Sequence, residues 1–382
     1  MPVEAPRLAA PLEEYGNRLA RTRAYMNEAD LDLLMIFGPE QYNWLSGYEP
    51  TSTFFYQALI VPRAEEPVTL LCNKAEVLLC KETCWVEDVR VLWTYEDQVA
   101  RTLEVLADRD LISGLRRLGI SLSSYYLRPA HAFALREALP GIEFVDIHTA
   151  LDDLRLVKSN TEIEHLRRAA HIADLGVVAG INAIHEGMTD RDAMAAVQHA
   201  VSLNGGQFPA YPGLVDARGT LHGTPVGRIL KHGDVIYLEV DGVVRRYHAN
   251  ISRSVVIGEP GQDIAHMYQL VRDTLDRATE AMRPGVRVTE IVELVGQMHS
   301  GYEQNTWGRF GFSCDITYPP HWIGALSLMK GDEHVLEPGM VITMEPGLAY
   351  YDGATFGLGN NVLVTEQGPE VLNNVSTELF VR

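Results

Sequence analysis

The chain has 382 residues, of which 46% are hydrophobic and 22% are charged, as in an ordinary soluble protein long enough to form two domains. Its 51 acidic residues against 32 basic ones give a formal net charge of −19. Nucleic acids and anionic membranes bind basic surfaces, so neither is expected as a partner. A small-molecule substrate or another protein is expected instead.

The cysteines and the N-terminus indicate the compartment. The chain has four cysteines, and the first three lack CxxC spacing, so we expect reduced, buried thiols. The opening residues MPVEAPRLAAPLEEY lack the basic start and apolar block of a secretory signal. No apolar run approaches the roughly 20 residues needed to span a bilayer. These features predict a cytoplasmic protein.

The first part of the chain predicts an α/β domain, because helical and strand-like patterns alternate along it. The predicted helices cover 12–27 and 100–118, and the predicted strands cover 31–37, 57–63 and 67–72. A boundary follows at 155/156, just before Ser159 and Glu162, whose spacing predicts a capping box at the start of a long helix. We therefore predict domains 1–155 and 156–382.

The second part predicts an α+β domain with mostly antiparallel strands. Beyond the long helix, the expected helices cover 189–204 and 263–282, and the expected strands cover 235–242, 253–258 and 340–347. The strand 235–242 contains Glu239 within an apolar run. An acid in such a run needs a partner or a chemical task. Histidines and arginines occur nearby in sequence, and this composition is typical of an active site.

Six sequence blocks resemble, in order and spacing, the pita-bread family of creatinase, proline dipeptidase and aminopeptidase P. They are NWLSGY (43–48), RLVKSNTEIEHLRRAA (155–170), LHGTPVGRILKHGD (221–234), LEVDGVVRRYHANISRS (238–254), VLEPGMVITMEPG (335–347) and NNVLVTEQGPEVL (360–372). The resemblance implies a creatinase-like N-terminal domain and a pita-bread catalytic domain. It also implies a homodimer in which the N-terminal domain of each protomer reaches into its partner's active site.

Peptidases of this family hold two divalent metals with carboxylates and a histidine, a ligand set suited to Mn or Co. Carried onto this chain, the five ligand positions fall on Glu239, Asn250, Arg309, Glu345 and Gly359. Arginine stays protonated and glycine has no side-chain donor, so neither can serve as a ligand. We therefore expect no two-metal centre and no cofactor.

The metal-independent branch of ectoine hydrolase and creatinase resembles this condition. The pattern E-x-x-G-x-x-x-R-Y-H from Glu239 to His248, and the pattern from Arg309 to Trp322, are closest to ectoine hydrolase. Two features depart from that branch. The segment EPTSTFFYQ (49–57) replaces an Asp-Gly-Trp type sequence, and Asp315 stands where glycine is usual. Both departures fall at positions where the resemblance implies contact with substrate.

The resemblance implies roles for individual residues. Glu239 attacks the substrate or activates water, and His222 carries protons beside the scissile bond, as imidazole suits. His248 is expected to donate to Glu239 or to substrate. Glu345 is expected to receive a cationic group and Arg309 a carboxylate. Further residues are expected to contact substrate or close the pocket: Tyr247 and Trp322, and, from the other protomer, Phe54, Phe55 and Tyr56.

The leading hypothesis is a metal-independent hydrolase that cleaves a C–N bond of a small zwitterionic nitrogen compound. An Xaa-Pro dipeptidase-like enzyme with a single rearranged metal, built from Glu239, Asp241, His248 and Glu345, is an alternative. A lyase acting on an onium acid is another. A non-catalytic binding protein is the alternative from a different class.

Overall fold

The computed structural model describes residues 6–211 and 213–382, which form two compact units. The first comprises residues up to Arg155 together with Tyr318–His321, and the second comprises Leu156–Thr317 and Trp322–Arg382. The short segment Tyr318–His321 lies inside the range 156–382, yet it packs with the N-terminal unit. Among the described residues, no helix is long and apolar enough to cross a membrane.

The N-terminal unit is built around a six-stranded mixed sheet with helices between its strands. Its strands are β1 (Leu33–Ile36), β2 (Ala58–Pro62), β3 (Thr69–Asn73), β4 (Asp88–Leu92), β5 (Arg117–Ile120) and β6 (Glu143–Asp146). Its helices are α1 (Leu12–Glu28), α2 (Pro39–Ser46), α3 (Val77–Thr83), α4 (Gln98–Asp108), α5 (Pro129–Ala138) and α6 (His148–Asp153), with a 3₁₀ turn at Lys74–Glu76. The strand order is β4-β3-β2-β1-β5-β6.

The pairings in this sheet separate an antiparallel centre from parallel edges. Strands β1, β2 and β3 pair antiparallel, whereas β3–β4, β1–β5 and β5–β6 pair parallel. The predicted helix 100–118 is too long, because α4 ends at Asp108 and Asp110 has a positive φ of 51°. The rest of that segment forms a turn that leads into β5.

The C-terminal unit contains two larger sheets, a hairpin and four helices. The helices are α7 (Asn160–Ala183), α8 (Asp190–Leu203), α9 (Gln262–Ala281) and α10 (Val288–Met298), with a 3₁₀ turn at Glu303–Asn305. The strands are β7 (Leu214–Asp216), β8 (Val235–Val244), β9 (Tyr247–Val256), β10 (Arg309–Ser313), β11 (Ser327–Met329), β12 (Val341–Met344), β13 (Leu348–Tyr351), β14 (Ala354–Phe356), β15 (Asn360–Thr365), β16 (Gly368–Val371) and β17 (Phe380–Val381).

These strands confirm the expected α+β class. The five-stranded sheet has the order β11-β10-β12-β15-β16 and the four-stranded sheet the order β17-β9-β8-β7, with β13 and β14 forming a separate pair. The pairings among these strands are antiparallel, except that β17 and β9 are parallel. The predicted capping box at Ser159 and Glu162 is present at the start of α7.

The β8–β9 hairpin separates an apolar face from a polar one. Alternate residues of a strand point to opposite faces of a sheet. Ile236, Leu238 and Val240 therefore join the core formed with α7 and α8, while Glu239 and Asp241 lie on the other face. The turn is formed by Arg245 and Arg246, which both have positive φ, as a two-residue type I′ turn requires.

Glycine allows α7 to lie directly on this hairpin. A Cβ atom at Gly242 would lie 1.8 Å from the backbone oxygen of Ala169 in α7, a distance that no real contact permits. The helix cannot retreat easily, because Val177 and Ile181 are buried against the same sheet. The close approach of α7 therefore depends on the missing side chain.

We expect Gly242→Ala to lower the free energy of unfolding by about 1–3 kcal/mol or more, because it overpacks the contact between helix and sheet. Gly296→Ala is the matched control, since a Cβ at this position in α10 meets nothing within 4 Å. The control should be neutral or stabilising by up to about 1 kcal/mol. Chemical denaturation of both variants measures the difference, and equal stabilities would contradict the packing argument.

Candidate active site

A cavity of about 470 Å³ in the C-terminal unit is lined by five of the ten predicted site residues. Glu239, His222, Arg309, Glu345 and Trp322 all line it. The remaining lining residues are Tyr211, Leu221, Tyr237, Trp307, Gly308, Phe312, Ile323, Met329 and Lys330. The cavity therefore combines two carboxylates, cationic side chains and an imidazole with aromatic walls.

Glu239 is held by two hydrogen-bond donors. The hydroxyl of Tyr237 donates to Oε2 at 2.9 Å, and Nδ2 of Asn250 donates to Oε1 at 3.1 Å. Tyr237 precedes Glu239 by two residues on β8, so both side chains lie on one face. Asn250 reaches the same face because it pairs with Asp241 across the hairpin. The hairpin register therefore orients the carboxylate.

Burial raises the pKa of Glu239 above its ordinary value, while the hydrogen bonds from Tyr237 and Asn250 oppose this shift. Burial and the negative charge of Glu239 raise the pKa of Glu345 well above its usual range, with Arg309 acting in the opposite direction. Close carboxylates in a dry site cannot all ionise at once. Of the two, Glu239 has donors that stabilise its charged form, so we assign the negative charge to Glu239 and the proton to Glu345.

Asp241 adds a third buried acid to this face. Its Oδ1 accepts a hydrogen bond from Nδ2 of Asn250 at 3.1 Å, while its Oδ2 is buried without a partner among the described residues. Burial, followed by the charge of Glu239, raises the pKa of Asp241 well above its usual range. Asp241 lines a second cavity of about 310 Å³, which also reaches Glu239. The raised pKa of Asp241 therefore favours its protonated form beside Glu239.

Arg309 supplies a positive charge to the first cavity. Its Nε is buried and has no hydrogen-bond partner in residues 6–211 and 213–382. A buried guanidinium donor without an acceptor is costly unless a ligand or water satisfies it. Because Arg309 is the first residue of β10, the sheet sets its position beside the cavity. It is suited to bind an anionic group.

His222 is exposed and lies in the cavity wall. It follows a loop whose backbone is hydrogen-bonded to Asp216. The buried carboxylate of Asp216 accepts hydrogen bonds from the backbone nitrogens of Arg218 and Thr220. The ring of His222 packs edge-on against Tyr211, with centroids 6.0 Å apart. An exposed imidazole in the wall can exchange protons with solvent and with a bound molecule.

His248 was predicted to donate a hydrogen bond to Glu239 or to substrate, but its ring nitrogens contact backbone groups. Its Nε2 accepts a hydrogen bond from the backbone nitrogen of Ala210 at 2.9 Å, and its Nδ1 lies 2.7 Å from the carbonyl oxygen of Arg246. Burial lowers the pKa of His248 well below its usual range, and the charge of Arg246 adds to the effect. The imidazole is therefore neutral, with both nitrogens engaged by backbone. His248 positions the loop at Ala210 and supports Trp322, whose ring centroid lies 6.1 Å away.

Three other predicted contact residues lie outside this cavity wall. The hydroxyl of Tyr247 donates to Glu162 at 2.8 Å on the helix-facing side of β9, so it does not reach the cavity. Tyr56 is buried in the core of the N-terminal unit, with its hydroxyl 2.9 Å from Thr102 Oγ1, and is not free to close a pocket. Asp315 forms a buried ion pair with Lys158 at 3.1 Å. Asp315 is therefore part of a buried ion pair, although its position was expected to contact substrate.

Phe54 and Phe55 lie in the N-terminal unit, with ring centroids 4.5 Å apart. The side chain of Phe54 is 73% exposed. Both residues line a cavity of about 220 Å³ in that unit. Phe54 is exposed and Phe55 is half-buried, and the expectation that the two rings cover a substrate pocket stays a prediction.

Several cavity residues were absent from the predictions. Tyr237 had a detectable signal, because a residue two positions from Glu239 on a strand shares its face. Tyr211, Trp307 and Lys330 had none, because loops bring them to the cavity from distant parts of the chain. The arginines near Glu239 in sequence were misleading. Arg253, for example, donates to the backbone carbonyls of Gly359 and Val375.

The positions that correspond to the family's metal ligands do converge, but they do not fit two metals. Asn250 donates to Glu239, and a Cβ on Gly359 would lie 3.0 Å from the Cβ of Glu345. Arg309 brings a guanidinium to the same cavity. Within the described parts of the chain, no three His, Cys, Asp or Glu ligand atoms of this cavity lie within 4.8 Å of one another. The donor set is therefore too small for a two-metal centre.

Comparisons with known proteins agree with this architecture. The model of metallopeptidase family M24 matches residues 164–366, and that of the Creatinase/Prolidase N-terminal domain matches residues 18–157. The chain is 28% identical to ectoine hydrolase of Halomonas elongata, over 97% of this chain and 98% of that protein. It is 26% identical to Xaa-Pro dipeptidase of Pyrococcus furiosus, over 95% and 99%.

The prolidase from Pyrococcus horikoshii OT3 has the same fold, with a TM-score of 0.82 and 23% sequence identity over 95% of this chain and 100% of that chain. These findings confirm the predicted pita-bread architecture with a creatinase-like N-terminal domain. The chain belongs to metallopeptidase family M24, a family of hydrolases, and carries a Creatinase/Prolidase N-terminal domain.

Proposed function

We propose that this protein is a metal-independent hydrolase that cleaves a C–N bond in a small zwitterionic nitrogen compound, such as a cyclic amidine or guanidino acid. The observation that carries the proposal is the charge arrangement of the cavity. Arg309 lies in the cavity at a family metal-ligand position, together with Glu239 and Glu345. The similarity to ectoine hydrolase supports this substrate class.

The substrate's charged ends match the cavity. A carboxylate of the substrate would accept hydrogen bonds from Arg309, whose buried Nε needs an acceptor. An amidinium or guanidinium group would pair with Glu345. Because the cation favours the charged carboxylate, binding would lower the pKa of Glu345 and release its proton. A zwitterion would therefore satisfy both sites, whereas a neutral molecule would satisfy neither.

The reaction adds water across the C–N bond. Glu239, already ionised, takes a proton from water or attacks the carbon directly, after which water completes hydrolysis. His222 delivers a proton to the leaving nitrogen. The hydroxyl group ends on carbon and the hydrogen on nitrogen. The aromatic side chains Trp307, Phe312 and Trp322 exclude bulk water, which strengthens each electrostatic contact.

We further propose that the chain acts as a homodimer in which Phe54 and Phe55 of one protomer cover the cavity of its partner. The exposure of Phe54 supports this arrangement. We assign no role in the chemical step to His248 or Tyr247. The ring nitrogens of His248 contact backbone groups, and the hydroxyl of Tyr247 donates to Glu162.

The function is tested by a turnover screen of ectoine, hydroxyectoine, creatine, other guanidino acids and Xaa-Pro dipeptides, with and without a chelator. We expect turnover of an amidine or guanidine compound that persists after chelation. Glu239→Gln should keep the fold and reduce turnover at least about 100-fold. Glu293→Gln, an exposed glutamate of α10, is the matched control and should keep full turnover.

Two outcomes would overturn the proposal. One is a stoichiometric metal that is lost from Glu345→Gln and whose removal abolishes turnover, which would indicate a dipeptidase-like enzyme. The other is near-native turnover by Glu239→Gln. Binding without turnover of any compound would favour a non-catalytic protein.

Glu345→Gln should weaken substrate binding yet stabilise the protein. Because the pKa of Glu345 is raised by folding, its contribution to stability is fully present below the unfolded pKa of about 4.3 and is lost as pH rises through the folded pKa. The glutamine variant avoids this loss. We expect no gain at pH 4 and a gain of about 1 kcal/mol at pH 8. Denaturation at both pH values, with Glu293→Gln as control, measures it; a gain independent of pH would refute the raised pKa.

Tyr237→Phe should shift the acid limb of kcat/KM to higher pH. The hydroxyl of Tyr237 stabilises ionised Glu239, so its loss raises the pKa of Glu239. Glu239 then loses its proton, and the enzyme becomes active, only at a higher pH. A charge-assisted hydrogen bond corresponds to a shift of about 1 pH unit. Tyr268→Phe, which removes a buried hydroxyl bound to the carbonyl of Thr377, is the control. An unchanged acid limb would exclude Glu239 as the titrating group.

A further inference from the structure

Two histidines and a glutamate converge in the N-terminal unit. Glu40 lies in α2, His148 begins α6, and His321 belongs to the segment Tyr318–His321 that packs with this unit. Each offers one ligand atom, and these atoms all lie within 4.8 Å of one another. No other such group of three occurs in residues 6–211 and 213–382.

The state of Glu40 is the second observation that points to a ligand. Glu40 has no exposed surface, yet its Oε2 has no hydrogen-bond partner among the described residues. Its Oε1 lies 3.1 Å from Nδ1 of His321. A buried carboxylate oxygen that accepts no hydrogen bond carries a desolvation cost, which the contact of His321 with the other oxygen offsets only in part. A cation at this point would remove that cost.

The distances suit a small divalent ion. Zinc binds imidazole nitrogen and carboxylate oxygen at about 2.0–2.2 Å, so neighbouring ligands of a tetrahedral site lie roughly 3.3 Å apart. The 3.1 Å between Glu40 and His321 is close to this value. The rings of His148 and His321 have centroids 5.9 Å apart. The ligand atom of His148 lies within 4.8 Å of the other two, so a small side-chain movement would bring it to the distance of a neighbouring ligand.

Neighbouring polar groups orient His148. Its Nδ1 lies 3.1 Å from Nε2 of Gln41, and its Nε2 lies 3.5 Å from Oδ2 of Asp152. Carboxylates and amides that contact ligand histidines commonly fix their orientation. The charge of Arg155 acts on His321 and opposes metal binding, but Arg155 also forms an ion pair with Asp152 at 2.9 Å.

We propose that Glu40, His148 and His321 form a binding site for one divalent transition-metal ion, with Zn²⁺ as the expected ion. Two imidazoles with one carboxylate favour such ions over Mg²⁺ or Ca²⁺, which prefer oxygen ligands. The side chains of His321 and His148 are 17% and 12% exposed, so an ion can enter from solvent. Water completes the coordination.

The ion would have a structural role. It would join α2, α6 and the segment Tyr318–His321, which are far apart in sequence, and closing such long loops stabilises a folded chain. The site contains no residue of the proposed hydrolytic cavity. It therefore stands or fails independently of the proposed catalytic function.

The test is a titration of chelator-treated, full-length protein with ZnCl₂ by calorimetry and thermal melting. We expect one equivalent to bind and the melting temperature to rise. His321→Ala should weaken zinc binding at least about 10-fold and abolish the thermal shift, because the loss of a metal ligand lowers metal affinity by at least this factor. His334→Ala, a histidine that contacts Asp332 in the C-terminal unit, is the control and should bind zinc normally.

Co²⁺ in place of Zn²⁺ gives a second readout, since a four-coordinate ion has intense visible absorption that His148→Gln should remove. Glu239→Gln and Glu345→Gln should retain zinc, which distinguishes this site from a metal in the cavity. Failure of the chelator-treated, unsubstituted chain to bind zinc would overturn the proposal. Unchanged zinc affinity in both His321→Ala and His148→Gln, with folding verified by circular dichroism, would do so as well.

Discussion

The hydrogen bonds that Tyr237 and Asn250 donate to Glu239 are the interactions on which the site depends. Tyr237 and Glu239 share a face because they are two residues apart on β8, and the register of β8 with β9 brings Asn250 to that face. A shift by one residue would turn Glu239 toward α7 and bury it among aliphatic side chains. Packing of the apolar face against α7 therefore sets the chemistry of the polar face.

In the proposed function, the guanidinium of Arg309 takes the place of external cations in the cavity. In a two-metal enzyme, several carboxylates share dications; here Glu239 and Glu345 face Arg309. Burial, together with the charge of Glu239, raises the pKa of Glu345 and of Asp241, which favours their protonated forms in the empty site. Such a site responds strongly to a substrate that carries both charges, because binding supplies the missing partners.

The two units differ in their capacity for metal. The C-terminal cavity has the ancestry of a metal site but presents an amide, a guanidinium and a glycine at three of the ligand positions. The N-terminal unit contains the imidazoles and the buried carboxylate of Glu40 that a transition metal prefers. A bound metal would therefore not by itself indicate metal-dependent catalysis, because the proposed metal site lies in the N-terminal unit and not in the cavity.

The sequence by itself determined the two fold classes, the capping box at Ser159 and the position of Glu239 within a buried strand, because these follow from local periodicity and motif spacing. Only the tertiary structure decided which neighbours Glu239 has. His248 is close in sequence but its nitrogens bind backbone, whereas Tyr211 arrives from a distant loop. Likewise, His321 meets Glu40 only through folding. Spacing along a chain constrains faces of helices and strands, but long-range packing decides which side chains meet.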